Sequence, residues 1–278
     1  GAGAAPAWED AAGGLTGKVE GTNFTGSLLI GHATTGTLDA ADGNTGVGIG
    51  ALDALTTGDN NVATGRNAGT GITTSSHNTL IGEAAGFSVN TATGHNTYVG
   101  NAAGYSSAGN YNTGAGSRAL IGGSGTEIGN CAFGYDSLVA VTSGDYNLGI
   151  GYAAGNNITT GSGNVIIGRE TAPSATGSQQ LKITGNNGSS SVEWITGDSS
   201  GNLTFPAEVA AATLDISGAI DIDGTANLDT VDIDGAVQID AAFTSGVDGQ
   251  GYDTKFFGDT SSAYMLWDTS ADDLVFAG

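Results

Sequence analysis

Polar and apolar residues recur at a fixed spacing through the first two thirds of the chain. Between residues 44 and 168 an asparagine is followed four residues later by a glycine eight times, and successive asparagines lie 17, 17, 18, 16, 18, 17 and 17 residues apart. A fixed period of this length is typical of a solenoid, in which each repeat is one coil that stacks on its neighbours. The pairs are Asn44/Gly48, Asn61/Gly65, Asn78/Gly82, Asn96/Gly100, Asn112/Gly116, Asn130/Gly134, Asn147/Gly151 and Asn164/Gly168.

The residues after each asparagine alternate as a short β-strand does. The first is mostly β-branched or apolar, the third is large and apolar in six of the eight repeats, and the seventh is always small. Positions one and three share a face of a strand. The glycine then ends the strand, either because positive φ is required or because a neighbour packs too close for a side chain. Since about 17 residues accommodate two short strands and two tight turns, the pattern predicts an all-β fold built on a parallel β-roll, a β-solenoid of eight coils.

The asparagine column predicts a structural ladder. Asparagine tolerates the left-handed backbone conformation and caps turns, and identical side chains stacked coil on coil can hydrogen-bond to one another. Contact with a ligand is the alternative interpretation. The residues assigned to the ladder are Asn61, Asn78, Asn96 and Asn112 with Gly65, Gly82, Gly100 and Gly116.

Changes of pattern divide the chain into five segments. Aliphatic and acidic residues alternate between 214 and 240, which favours a fibrous shaft with apolar residues at a shared axis and aspartates outside. Large aromatic residues between polar turns after 246 predict a small antiparallel module. The segments are a connecting segment (1–43), the β-roll (44–172), a neck or capping β module (173–205), the Asp-rich fibrous β shaft (206–245) and the C-terminal antiparallel module (246–278).

Composition excludes several classes of protein. Fifty glycines and one methionine in 278 residues do not fit an ordinary helical domain. A net charge of −22 argues against nucleic acid or anionic membrane as a partner, because both are bound by clustered basic residues. The sequence contains no run of 18 apolar residues, so we expect no segment that inserts into a membrane. The apolar content is largely alanine, so a single roll has a thin core and we expect an oligomer.

The sequence contains no recognisable catalytic, cofactor or metal motif, so we expect a protein that is not an enzyme and needs no cofactor. The Asp-rich segment is interpreted as a solvated face, with calcium binding as the alternative. Cys131 is interpreted as a small core residue, with an inter-chain disulfide as the alternative.

One surface column carries candidate binding residues. His77, His95 and Tyr111 directly precede asparagines of consecutive coils, and Phe87 and Tyr105 form a second adjacent pair nine residues after theirs. Such rings either cover a turn or form a shallow platform of flat, partly wettable surfaces for a glycan, or a metal-binding histidine pair. These five residues are the candidate receptor-facing residues.

The segments 78–86 (Asn-Thr-Leu-Ile-Gly-Glu-Ala-Ala-Gly) and 96–104 (Asn-Thr-Tyr-Val-Gly-Asn-Ala-Ala-Gly) resemble the head repeats of trimeric autotransporter adhesins. They are still more similar to the longer-period repeats of bacteriophage tail-fibre proteins. The resemblance implies a left-handed parallel β-roll, three parallel chains and adhesion without catalysis. It therefore implies a homotrimeric fibre on the virion surface, on tail or head, whose partners are other virion structural proteins and a host cell-surface glycan or receptor.

Two alternative functions remain open. A bacterial trimeric surface adhesin or extracellular matrix filament would use the same roll at the cell surface. A β-helical polysaccharide depolymerase would need paired carboxylates in one cleft. The acids of the roll occupy varying positions in their repeats, which disfavours an enzyme; they are Glu83, Glu127, Asp136 and Glu170.

Overall fold

The computed structural model describes residues 17–21, 24–31, 38–89, 94–123, 126–210, 253–271 and 273–277, with a few further positions between 216 and 241. The chain divides into two units, Gly1–Ala211 and Ala212–Gly278. The described residues form strands and turns with no helix, which confirms the all-β class. No helix that could cross a membrane occurs in the part of the chain that the structure describes.

The first unit holds one sheet of thirteen strands that follow one another in chain order. Its central part is the predicted parallel β-solenoid of eight coils, with one three-residue strand after each asparagine. Thr45 lies opposite Val62 and Val47 opposite Thr64, and the same register repeats from coil to coil. The solenoid strands are β3 (Thr45–Val47), β4 (Val62–Thr64), β5 (Thr79–Ile81), β6 (Thr97–Val99), β7 (Thr113–Ala115), β8 (Cys131–Phe133), β9 (Leu148–Ile150) and β10 (Val165–Ile167).

Antiparallel strands continue the sheet at both ends. The strands β1 (Gly17–Gly21) and β2 (Phe24–Ile30) form a hairpin, and β2 pairs in parallel with β3. At the other end β11 (Leu181–Asn186) pairs in parallel with β10 before β12 (Ser191–Gly197) and β13 (Leu203–Thr204) turn back antiparallel. The segment after residue 172 therefore begins by following the solenoid register.

Each coil has one strand rather than the predicted two, so that prediction is wrong. After the strand the backbone passes repeatedly through positive φ: Gly82 has φ 132°, Ala84 56° and Gly86 58°. Extended strand geometry requires negative φ, so this half of the coil runs through turns. Hydrogen bonds between coils still hold it, as where the Gly86 N–H donates to the Ala103 carbonyl at 2.8 Å. Glycine is required at position 82 for two reasons. The backbone there has positive φ, and a Cβ would overlap the Gly100 carbonyl of the next coil.

The middle residue of each strand points into the coil, and the flanking residues do not. In β5, Leu80 is buried while Thr79 is half-buried and Ile81 exposed. Two of the three large middle residues, Leu80 and Tyr98, face a glycine eight residues after the asparagine: a Cβ at Gly104 would overlap the Tyr98 ring. In three of the coils whose middle residue is glycine or alanine, a leucine stands at that position and fills the space. The complementary buried leucines are Leu52, Leu120 and Leu138.

The asparagines lie inside the coils, fully buried. The Asn61 Oδ1 accepts the backbone N–H and the side-chain amide of Asn78 at 3.0 and 2.9 Å, and the pattern repeats along the column. The Asn61 amide also donates to the Ser75 carbonyl at 2.9 Å, which closes its own coil. The ladder extends beyond the asparagines, because the Ser27 hydroxyl accepts the Asn44 N–H at 2.7 Å and the Gln180 amide donates to Asn164 at 3.0 Å.

The second unit contains the predicted small antiparallel module. Its sheet consists of β14 (Thr254–Phe257), β15 (Tyr264–Asp268) and β16 (Asp273–Ala277). The predicted shaft at 206–245 falls largely outside the described residues. Its described isoleucines and valines after 211 are solvent-exposed; they are Ile216, Ile220, Ile222, Ile233, Val237 and Ile239.

Candidate functional site

The outward-pointing residues of the solenoid strands form a surface without charge. We call this surface, made of the first and third residues after each asparagine, the strand face. None of its sixteen residues is charged, although the chain has 28 acidic and 6 basic residues. Exposed apolar side chains grouped on one surface are a feature that interaction sites share. Its most exposed large members, at 38–43% exposure, are Val47, Val62, Ile81, Val99, Phe133 and Ile150.

Cys131 also lies on the strand face. It is half-buried and has a free thiol. The interpretation of Cys131 as a core residue is therefore wrong, because the first position of each strand points outward and the neighbouring Ala132 fills the core position.

His77, His95 and Tyr111 form a continuous stack across three coils, which we call the ring stack. The two imidazoles lie 4.6 Å apart with an interplanar angle of 1°, and the Tyr111 ring lies 5.2 Å from His95 at 14°. All three residues have φ between 58° and 61°. A left-handed backbone costs a residue with a Cβ about 1–2 kcal/mol. Three other coils avoid that cost with glycine at the same position: Gly43, Gly129 and Gly163.

The stacking changes which part of the rings meets solvent. Ring faces lie against one another, so the ring edges face outward rather than the flat faces expected from the sequence. Tyr111 is 55% exposed, and both histidines are exposed. The stack therefore presents a line of imidazole nitrogens and one phenol hydroxyl, which are hydrogen-bonding groups at the spacing of the coils.

The same geometry does not suit a shared metal ion on the two histidines. Two nitrogens on one tetrahedral zinc lie about 3.4 Å apart with converging lone pairs, given Zn–N distances near 2.1 Å. Parallel rings at 4.6 Å keep their lone pairs parallel. No group of three metal-binding side chains occurs among the described residues.

Phe87 and Tyr105 form a second stack, with ring centres 4.8 Å apart and an angle of 6°. They belong to another column of the coil, and no ring pair joins them to the ring stack within the described residues. The structure thus separates the five candidate residues into two groups.

A third stack was missed in the sequence. Tyr135 and Tyr152 lie 5.2 Å apart at 17°, and the Arg169 guanidinium lies 5.0 Å from the centre of the Tyr152 ring. The three residues stand five positions after consecutive asparagines, so a tabulation of that column would have found them. Tyr152 and Arg169, but not Tyr135, border an open cavity of about 300 Å³ whose polar lining also includes Asp136, Asn156 and Glu170. We call it the tyrosine cavity.

The acids of the roll have different surroundings. Glu83 pairs with Arg66 in solvent, and Asp136 pairs with Arg118 at 3.0 Å. Asp136 and Glu170 both line the tyrosine cavity, two coils apart. Glu127 lies at another place, inside the coil.

Glu127 is 1% exposed, and its carboxylate lies inside the coil beside the Ser107 hydroxyl. Burial raises the pKa of Glu127 to about 7, and the charge of Asp145 adds to the rise, while the Ser107 hydroxyl opposes it. Ser107 also bonds the buried Tyr98 hydroxyl at 2.6 Å. This polar group occupies the interior of the solenoid.

Comparison of the chain with protein-family models, curated proteins and solved structures gives no match. Its function is therefore inferred from the strand face, the exposed stacks and the repeat pattern.

Proposed function

We propose that this chain is a homotrimeric virion fibre that mediates attachment to a host surface without catalysis. One observation carries the proposal: the solenoid separates an uncharged strand face, suited to self-association, from exposed stacks of rings in other columns of the same coils. The repeat resemblance supports a phage fibre. A bacterial surface filament with the same fold is the alternative. Labelling the chain on intact virus particles and on bacterial cells distinguishes the two.

The strand face supports association with copies of the same chain. Fully burying a large apolar side chain stabilises a protein by about 1.5–3 kcal/mol, so covering the exposed two fifths of each contributes about 1 kcal/mol. Identical surfaces can associate without pairing opposite charges. The sixteen uncharged residues of the strand face suit such association. The strand face is one strand wide. When three copies meet at a common axis, the strand face of each copy is covered by those of the other two.

The oligomeric state is measured by sedimentation equilibrium or light scattering of the folded chain. We expect three chains per particle. A stable, folded monomer would contradict the assignment of the strand face, and a dimer would contradict the threefold arrangement.

The ring stack supports attachment. Three copies of a line of hydrogen-bonding edges give weak contacts that combine by avidity, which lets shallow contacts hold a surface. The net charge of −22 disfavours anionic surfaces. A host glycan or protein receptor therefore fits the stack better than a lipid headgroup.

The test replaces His77, His95 and Tyr111 together with serine and measures binding of the folded oligomer to host cells. Tyr146→Ser is the matched control, because Tyr146 occupies the same column with φ 56° but lies outside the ring stack. We expect the triple variant to lose cell binding and the control to retain it. Parental binding by the triple variant would show that the stack only covers a turn.

A further inference from the structure

We propose that the tyrosine cavity is a binding site for a neutral saccharide. This inference deepens the adhesive role proposed above and rests on it, but it concerns other coils and other residues than the ring stack. The cavity lies where the turn halves of the last three coils meet, and its volume of about 300 Å³ is of the size of a sugar unit with its linkages.

The lining offers hydrogen-bond donors and acceptors side by side. Arg169 and the Asn156 amide donate, while the carboxylates of Asp136 and Glu170 accept. A sugar hydroxyl both donates and accepts, so neighbouring hydroxyls are satisfied by a carboxylate on one side and a guanidinium or amide on the other. The Tyr152 hydroxyl can serve either role, and its side chain is 53% exposed.

Several of these groups are not used by the fold. Arg169 has no carboxylate partner within the described residues, although its guanidinium is held 5.0 Å over the Tyr152 ring. No hydrogen bond occupies the Asn156 side chain within the same residues, whereas the next residue, Asn157, holds the backbone of Ala172 at 2.8 and 3.0 Å. The Arg169 guanidinium is thus held in place at the cavity, and the Asn156 amide is available beside it.

Charge decides between neutral and acidic sugars. Arg118 neutralises Asp136 at 3.0 Å, and Arg169 stands beside Glu170, so the site carries about equal positive and negative charge. The chain as a whole carries −22, and its field repels an anion approaching from solvent. A saccharide without carboxylate or sulfate is therefore favoured.

The rings set the mode of binding. Tyr135 covers one face of Tyr152 and Arg169 the other, so the ligand meets the ring edge and hydroxyl rather than stacking on a face. Binding by hydrogen bonds alone is weak for one sugar, with a dissociation constant of about a millimolar, and repetition of the cavity on each chain of an oligomer compensates by avidity.

The probes are the methyl glycosides of glucose, galactose and mannose, together with methyl glucuronide and sialic acid, in saturation-transfer NMR on the full folded chain. We expect at least one neutral glycoside to receive saturation and the acidic sugars to receive little. Arg169→Ser should weaken the neutral glycoside about tenfold or more, since hydrogen bonds to charged groups are among the stronger ones. Arg66→Ser, which removes the same charge from the same column outside the cavity, should bind as the parent does.

Tyr152→Phe removes only the hydroxyl and keeps the stack, so it should weaken binding by a smaller factor than Arg169→Ser. No saturation of any neutral glycoside, preference for acidic sugars, or parental binding by Arg169→Ser would each overturn the inference. Cleavage of neutral oligosaccharides by the parent chain would overturn the binding role, because Asp136 and Glu170 would then act on the substrate.

Cell attachment separates this inference from the proposed function. If Arg169→Ser loses glycoside binding and still attaches to cells, the cavity binds sugar and attachment uses another surface. If Arg169→Ser binds glycoside normally while the ring-stack variant loses attachment, the cavity inference is wrong and the proposed function stands.

Discussion

Glu127 makes the stability of the solenoid depend on pH. Its carboxyl group is enclosed in the coil beside Ser107 and Tyr98, and its pKa rises from 4.5 to about 7 because burial disfavours the charged form. Between these two values the folded chain binds a proton that the unfolded chain has released. The free energy of unfolding therefore falls as the pH rises from about 4.5 to about 7, and the contribution of the protonated carboxyl is fully present only at the acid end.

The magnitude follows from the size of the shift. One pKa unit corresponds to about 1.4 kcal/mol, so the full change amounts to about 3 kcal/mol. About 2.5 kcal/mol of this change falls between pH 5 and pH 8, because the unfolded carboxyl is already largely ionised at pH 5. For a folded part of this size 1 kcal/mol moves the melting temperature by about 2–4 °C, which gives a fall of about 5–10 °C over that range. Asp198 and Asp268 titrate in another range, because hydrogen bonds from the side chains of Asn202 and Ser270 lower their pKa values.

The assay compares the parent with Glu127→Gln by circular dichroism melting at equal concentration across pH 5 to 8. The difference between the two curves cancels every group common to both, including the neighbouring Asp145. We expect the glutamine variant to melt higher than the parent at pH 8 and close to it at pH 5. Parallel curves would refute the reasoning, because they would show that Glu127 does not take up a proton on folding.

The structure makes three further predictions. Gly104→Ala should destabilise the chain by about 3 kcal/mol more than Gly201→Ala, as measured by urea unfolding. Both positions have positive φ, but only a Cβ at position 104 overlaps a buried ring, that of Tyr98. Asn78→Ala should cost about 1–3 kcal/mol in the same assay, since it leaves the buried Asn96 N–H without its acceptor and removes one of the two acceptors of the Asn96 amide. Phe133→Asp on the strand face should dissociate the oligomer in sedimentation, whereas Tyr146→Asp outside it should not.

The repeat and its register could be predicted because they follow from spacing. Asparagine and glycine occur once per coil at positions that tolerate no other residue well: Asn78 is buried in a ladder, and Gly82 has both positive φ and a neighbouring carbonyl in the space of a Cβ. Such positions are conserved within the chain itself. The solenoid is therefore visible in a single sequence.

The direction of the strand residues could not be predicted from the same pattern. The third residue after the asparagine is large and apolar in six of the eight coils, yet it lies outside, while glycine, alanine, leucine, tyrosine or isoleucine occupies the core position before it. The interior is too narrow for a large residue at every position, so Tyr98 requires Gly104 while Leu138 requires Gly149. In a coil this narrow, the positions of large apolar residues in the sequence do not by themselves identify the core.

The candidate sites were partly visible for a related reason. The ring stack was found because its members share a column next to the conspicuous asparagines. The tyrosine cavity was missed because Asp136, Asn156 and Arg169 come from different columns, and only the turns of consecutive coils bring them together. A site that crosses columns leaves no periodic signal in the sequence.

The separation of roles by column explains how one short repeat can carry several functions. Hydrogen bonds between coils hold the backbone in the same register whatever the outer side chains are, and the core columns supply the packing. Outer residues are then free to vary, except that each lies about 4.8 Å from its counterpart in the next coil. Rings placed there stack, as His95 does on His77, and turn their edges outward. The exposed ring clusters of this solenoid are therefore built from runs of two or three neighbouring coils, because a single side chain has no partner to fix its orientation.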